Sequence, residues 1–316
     1  MNKQGLVIHP EELTDRMLEL LEKSNINVLG LHPVGGAIAK ESLEKMLELL
    51  KTQEFQDKLT RVREMGILIE YELHALSWLL PRELHDTHPD WFRMNENGER
   101  VNDNNMCASN HEALEYLSMR AAELATVLKS DSGNYYFWAD DVEHTFCHCE
   151  KCQKLSPSDQ ALIIYNYILK GIRKVDHNAK QCYLAYRETM EIPTHIQPEK
   201  GIFLEYAPMW RDTKTPIFDR DCEENVEYCE AIQPLLAFFG KKDAQVLEYW
   251  LDNSLFSKWE KPPKIMSICA DTIKRDIQFY KKCGFRHITT FGCYLSDEYI
   301  EMYGIPPIAE YGECFD

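Results

Sequence analysis

Tyr135-Tyr136-Phe137-Trp138-Ala139-Asp140-Asp141 runs from five apolar residues straight into two carboxylates. A short apolar run of this kind reads as a buried strand. Three similar runs precede it, at 5–9, 27–32 and 66–72, and four follow, at 181–187, 202–206, 244–251 and 287–292. Amphipathic stretches lie between most of them. Helical spacing is evident over 11–23, opened by Pro10, through Leu43, Met46, Leu47 and Leu50, through Leu59, Val62 and Met65, and over 111–129, 158–175, 221–239 and 271–283. Strands separated by helices predict a parallel sheet, and eight of them predict a closed (β/α)8 TIM barrel. The segment 188–200 carries Pro193 and Pro198 without a helical period, so the barrel is expected to be irregular between the fifth and sixth strands. A doubly wound open sheet would show a glycine-rich phosphate turn, and Pro33-Val34-Gly35-Gly36 does not make one. Residues 1–316 read as one such domain, with long loops at about 77–110 and 142–157.

Composition narrows the partners. The 316 residues hold 52 Asp and Glu against 35 Lys and Arg, a net charge of −17. Such a surface repels phosphate backbones, which argues against nucleic acid and anionic membranes. No apolar run approaches the roughly 18–20 residues of a membrane span. The first ten residues contain only three consecutive apolar ones, too few for a secretory signal, and the expected location is the cytoplasm. Eleven cysteines scattered from Cys107 to Cys314 show no disulfide rhythm; in a reducing compartment they are free thiols or metal ligands.

Barrel enzymes carry their chemistry at the C-terminal ends of strands. Those ends here supply His32, Glu70, Glu72, His74, Asp140, Asp141, Arg187, Glu188, Glu205, Glu248 and Asp252, with Tyr71, Trp138, Tyr186, Tyr206, Trp210, Tyr249, Trp250 and Tyr294 among them. Carboxylates beside Trp and Tyr suit a sugar, whose hydroxyls donate to carboxylates and whose C–H face stacks on aromatic rings. The expected binding set is His32, Tyr71, Trp138, Tyr186, Glu205, Tyr206, Trp210, Glu248, Trp250 and Tyr294, and the expected ligand an oligosaccharide or glycoside. Asp140 and Asp141 are the expected catalytic pair. Adjacent carboxylates must occupy different environments, the split that an acid and its partner require. A helix N-cap or a solvated turn would use the same residues, and Glu143 or His144 could replace either aspartate.

Cys147-His148-Cys149-Glu150-Lys151-Cys152 places three thiolates within reach of one tetrahedral ion, with Cys107, His144 or His148 as candidates for the fourth ligand. Free thiols or a local disulfide are the alternatives. A zinc ion here would brace the loop beside Asp141, and catalysis would require no cofactor.

Trp138-Ala139-Asp140-Asp141 followed by Phe146-Cys147-His148-Cys149-Glu150-Lys151-Cys152 resembles the signature of domain-of-unknown-function family 4838, with further echoes in Cys107-Ala108-Ser109-Asn110 and Cys182-Tyr183-Leu184-Ala185-Tyr186. The resemblance extends from about residue 60 onward. It implies a glycoside-hydrolase-like barrel related to glycoside hydrolase family 163 and to hexosaminidase families 20 and 84. It also implies hydrolysis of N-acetylhexosamine-containing glycans, in which the sugar's own 2-acetamido oxygen attacks the anomeric carbon. Asp140 would orient that group, and Asp141 would protonate the leaving oxygen and then activate water. Two other readings compete: a zinc-dependent, methyltransferase-like barrel using the cysteine cluster, and a carbohydrate-binding barrel without catalysis.

Overall fold

The computed structural model describes residues 2–315. Eight strands are present: β1 Lys3–Ile8, β2 Val28–Leu31, β3 Leu68–His74, β4 Asn134–Trp138, β5 Lys180–Ala185, β6 Ile202–Tyr206, β7 Gln245–Glu248 and β8 His287–Phe291. They follow one another around a closed parallel sheet, a TIM barrel. The seam between β1 and β8 pairs Gly5 with Thr289. A Cβ on Gly5 would meet Thr289 Cγ2 at 2.3 Å, so only glycine permits that approach.

The helices are α1 Asp15–Glu22, α2 Ala39–Leu49, α3 Gln53–Glu64, α4 Leu76–Leu79, α5 His111–Val127, α6 Pro157–Ile172, α7 Glu223–Phe239, α8 Asn253–Phe256, α9 Ala270–Cys283, α10 Asp297–Tyr303 and α11 Ile308–Glu313. The helix expected from residue 11 begins later. Pro10–Glu12 form a single 3-10 turn, and α1 starts behind Thr14, whose hydroxyl accepts from Met17 N. The hydroxyl cap outcompetes proline as the start signal. Among the described residues no helix is long and apolar enough to cross a membrane.

The chain separates into two compact units. The first comprises Met1–His32, Leu49–Glu70 and Glu205–Asp316. Its strands carry a buried polar layer: Lys3 Nζ pairs with Glu70 Oε1 at 2.5 Å and donates to Gln245 Oε1 at 3.3 Å, while Gln245 Nε2 donates to Glu205 Oε1 at 3.0 Å. Successive residues of a strand face opposite sides. Tyr206 and Glu248 therefore turn away from this layer, toward α7 and α9.

The second unit comprises Pro33–Glu48 and Tyr71–Leu204. Here α5 and α6 pack closely at Gly171, where a Cβ would lie 1.9 Å from Ser118 O. After β5 there is no α-helix, as the prolines of 188–200 led us to expect; a 3-10 turn at Arg187–Thr189 gives way to an extended strap. Polar side chains of α6 hold it. Ser158 Oγ donates to Glu191 O at 2.6 Å, and Asp159 Oδ1 accepts from Thr194 N, His195 N and Ile196 N at 2.9, 2.8 and 3.0 Å. Asn166 Nδ2 donates to Gln197 O at 3.1 Å and its Oδ1 accepts from Glu199 N at 2.9 Å.

Candidate active site

The expected fourth strand ends at Trp138, and the chain turns away at Ala139. The Asp140 backbone N–H donates to Asn105 Oδ1 at 3.2 Å rather than to a neighbouring strand. Its carboxylate is held from three directions. Arg82 Nη2 and Asn105 N donate to Oδ2, the latter at 2.7 Å, and Ser77 N donates to Oδ1 at 3.2 Å. Arg82 is tied to the same segment by Nη1, which donates to Asn105 O at 2.8 Å. Arg82 and Asn105 were not among the expected site residues; the only sign of them was the Asn/Asp cluster at 102–105.

Asp141 is held quite differently. Its side chain is 26 % exposed, against 6 % for Asp140. Oδ1 has no hydrogen-bond partner, and Arg187 Nε stands 3.9 Å from it. Burial, and then the charge of Asp141 beside it, hold the Tyr186 phenol well above its ordinary pKa, so Tyr186 keeps its proton as a donor near Asp141. The Arg187 guanidinium lies 5.0 Å over the Tyr186 ring, with Nη1 3.7 Å from Glu143 Oε2. Glu188 accepts from His144 N at 2.7 Å and lies 3.1 Å from His144 Nδ1. Arg187 and His144 have φ of 50° and 58°, left-handed conformations that side chains rarely adopt. Such strain, about 1–3 kcal/mol per residue, gathers at functional sites.

His74 closes this group. Its Nδ1 donates to Ala139 O at 2.6 Å. Together His74, Asp140, Glu143, Tyr186, Arg187 and Glu188 line a shallow cleft of about 40 Å³. The cleft offers carboxylates, a guanidinium, an imidazole and a phenol, the groups needed to bind hydroxyls and transfer a proton. Trp138 gives it no stacking face: it is 1 % exposed and packs edge-on against His74 at 5.1 Å. Tyr71 is likewise buried in β3.

Beside this loop, Cys107, Cys147, Cys149 and Cys152 are all buried, with sulfur atoms within 4.8 Å of one another. Cys107 is therefore the fourth member, and His144 and His148 are not. His144 is engaged by Glu188, and His148 is 43 % exposed with Nε2 3.4 Å from Glu96. All eleven cysteines are unbridged. Sulfur contacts with Cys147 and Cys152 draw the Cys107 thiol down, while contact with Cys107 pushes Cys147 up to about 11 and Cys152 higher. The methyltransferase-like expectation needs a metal with an open ligand position, and four buried thiols leave none.

The first unit holds the remaining expected residues. Four of them are corrections. Glu205 pairs in register with Gln245, the first residue of β7, so it belongs to the N-terminal layer with Lys3. Tyr206 OH donates to Tyr228 O at 2.8 Å on the helix side. Glu248 is fully buried, accepting from Arg211 Nε at 3.0 Å and Tyr280 OH at 2.5 Å, while Arg211 Nη2 also holds Asp276 at 2.6 Å. Trp250 is buried between Tyr280 and Tyr311. None of the four presents a binding surface. His32 and Tyr294 gather around His9: His32 stacks on its ring at 5.8 Å, His9 Nδ1 donates to His32 O at 2.8 Å, and the Tyr294 ring lies at 6.0 Å. Glu12 lies beside them, its carboxyl raised to about 7 by burial against the opposing pull of His9 and two backbone N–H groups. Trp210 is 49 % exposed and meets Trp259, 52 % exposed, with ring centroids 6.4 Å apart. Trp259 was missed because an isolated Trp in a polar loop carries no pattern.

The family model described as Domain of unknown function (DUF4838) matches residues 49–301. No curated protein sequence matches the chain. Among solved structures, an O-GlcNAc hydrolase of Thermobaculum terrenum superposes with a TM-score of 0.57 at 11% identity, covering 99% of this chain and 59% of that one. The cellulose synthase subunit Z of Clostridioides difficile gives 0.52 at 7% identity over 99% of both chains. A β-galactosidase of Marinomonas ef1 gives 0.51 at 10% identity, over 91% of this chain and 53% of that one. At these identities the likeness is one of fold.

Proposed function

The chain belongs to the Domain of unknown function (DUF4838) family, and from that premise we propose that it is a glycoside hydrolase acting on N-acetylhexosamine-containing glycans. The observation that carries the reading is the unequal treatment of two adjacent aspartates at the end of β4. Asp140 is immobilised by Arg82, Asn105 and Ser77; Asp141 is half-open beside a protonated phenol. The resemblance in fold to an O-GlcNAc hydrolase supplies the link to the 2-acetamido sugar.

The chemistry then divides as follows. An ionised carboxylate offers about four acceptor positions. Three on Asp140 are taken, and the one left on Oδ1 accepts the acetamido N–H of a sugar in the cleft. The acetamido oxygen attacks the anomeric carbon as the glycosidic bond breaks, and Asp141 gives its proton to the departing oxygen. In the second half Asp141 takes a proton from water, whose oxygen adds to the anomeric carbon and reopens the cyclic intermediate. No cofactor enters these steps, and the cysteine cluster has a structural part.

The test is Asp141→Asn with a chromogenic N-acetylglucosaminide and with natural glycans. The expected result is a loss of at least about 10²-fold in turnover with unchanged unfolding, together with competitive inhibition of the unaltered protein by an N-acetylglucosamine thiazoline. Full activity of the variant removes Asp141 from the role of acid. Tight sugar binding without turnover on any glycan replaces the enzyme by a carbohydrate-binding barrel.

A further inference from the structure

We propose that Cys107, Cys147, Cys149 and Cys152 bind one zinc ion as four thiolates, and that this ion fastens the segment carrying Asn105 to the segment carrying Asp140 and Asp141.

The geometry fits the ion. A tetrahedral site with Zn–S of about 2.3 Å has S–S edges of about 3.8 Å. Cys107 Sγ lies 3.7 Å from Cys149 Sγ and 4.0 Å from Cys152 Sγ, and no pair exceeds 4.8 Å. The surroundings also suit a doubly negative tetrathiolate. Met94 N donates to Cys147 Sγ at 3.3 Å, Arg100 Nη1 lies 3.8 Å from the same sulfur, and Ser109 Oγ lies 3.3 and 3.4 Å from Cys107 and Cys149. Donors around a metal ligand orient it and offset its charge. Gln160 of α6 braces the loop, accepting from Cys147 N at 3.0 Å and donating to Cys147 O and Cys152 O at 3.1 and 3.2 Å.

The position in the chain defines the consequence. Cys107 is two residues from Asn105, whose backbone N–H holds Asp140 and whose Nδ2 donates to Thr145 Oγ1 at 2.7 Å. Cys147 is two residues beyond Thr145. Binding releases the thiol protons and joins two loops 40 residues apart at a point next to their hydrogen-bonded contact. The ion touches no reacting atom, so this site stands or falls apart from the hydrolase reading.

Elemental analysis of the full chain, purified without chelator, is expected to give about one zinc per chain. Titration of the unaltered protein with a mercurial reagent should release that zinc, read with a metal dye, as four thiols react. Cobalt substitution should give the visible bands of a tetrahedral tetrathiolate. Hydrogen exchange after zinc removal should rise in 91–110 and 142–155 and remain low in α9. Cys149→Ser should keep less than about a tenth of the metal; if it fails to fold, the measurements on the unaltered protein decide. A zinc-free protein whose four thiols react freely or pair as disulfides overturns the proposal, and so does stoichiometric iron in their place. Unchanged exchange after zinc removal overturns the fastening role.

Discussion

Asn105 and Asp140 hold each other by a reciprocal pair of hydrogen bonds: Asn105 N donates to Asp140 Oδ2 at 2.7 Å, and Asp140 N donates to Asn105 Oδ1 at 3.2 Å. Asn105 sits at φ 51°, where asparagine is among the few side chains at ease. Asn105→Ala loses the side-chain half of the pair and the Nδ2 bond to Thr145, and strains the backbone. Chemical denaturation is expected to show a loss of about 1–3 kcal/mol. Turnover should fall along with it, because Asp140 loses its fixed orientation.

Arg211 stands between two buried carboxylates, Glu248 and Asp276. Arg211→Met leaves both charges uncompensated, which typically costs about 3–5 kcal/mol. Urea unfolding should show that loss, while the folded fraction keeps its affinity for glycans. A specific loss of glycan affinity with full stability would return Glu248 to the binding surface.

Glu12 sets a pH dependence of known sign. Its carboxyl is raised from 4.5 to about 7, chiefly by burial. Below the lower value it is protonated in both folded and unfolded chains. Between the two values only the unfolded chain ionises, so stability falls as pH rises toward 7, by on the order of 3 kcal/mol in all. Glu12→Gln should remove this slope. Its melting temperature relative to the unaltered protein should be higher at pH 8 than at pH 5, and an equal difference at both pH values would contradict the assignment.

Trp210 and Trp259 present two exposed indoles at right angles on the loops after β6 and β7. If sugar rings stack there, Trp259→Ala should weaken oligosaccharide binding several-fold in calorimetry, with melting temperature unchanged. An unchanged affinity over a range of chain lengths would exclude that platform.

The strands were legible because buried parallel strands are nearly continuous apolar runs. Their ends were not: 135–141 reads as one strand, yet Asp140 spends its N–H on a loop residue 35 positions earlier in the chain. The Asp140–Asp141 pair is visible as a sequence feature, but the difference between its members comes from Arg82, Asn105, Tyr186 and Arg187, which no spacing connects to it. The same limit applied to the fourth thiol. His144 and His148 are near in sequence and turn outward, while Cys107 is distant and buried with the others. Tyr206 and Glu248 read as binding residues because strand ends were taken whole, when alternate positions face the helices.

The strap that replaces the fifth helix is gripped almost wholly by its main chain. Ser158, Asp159 and Asn166 reach carbonyls and amides of Glu191, Thr194, Ile196, Gln197 and Glu199, and only at Thr194 and His195 does a side chain answer. Its course is thus dictated by α6, whereas the identities of its own residues are left open to drift. Among relatives, variation should collect on the strap while those three helix positions stay constant, making this stretch a natural place to graft foreign peptide without disturbing the sheet.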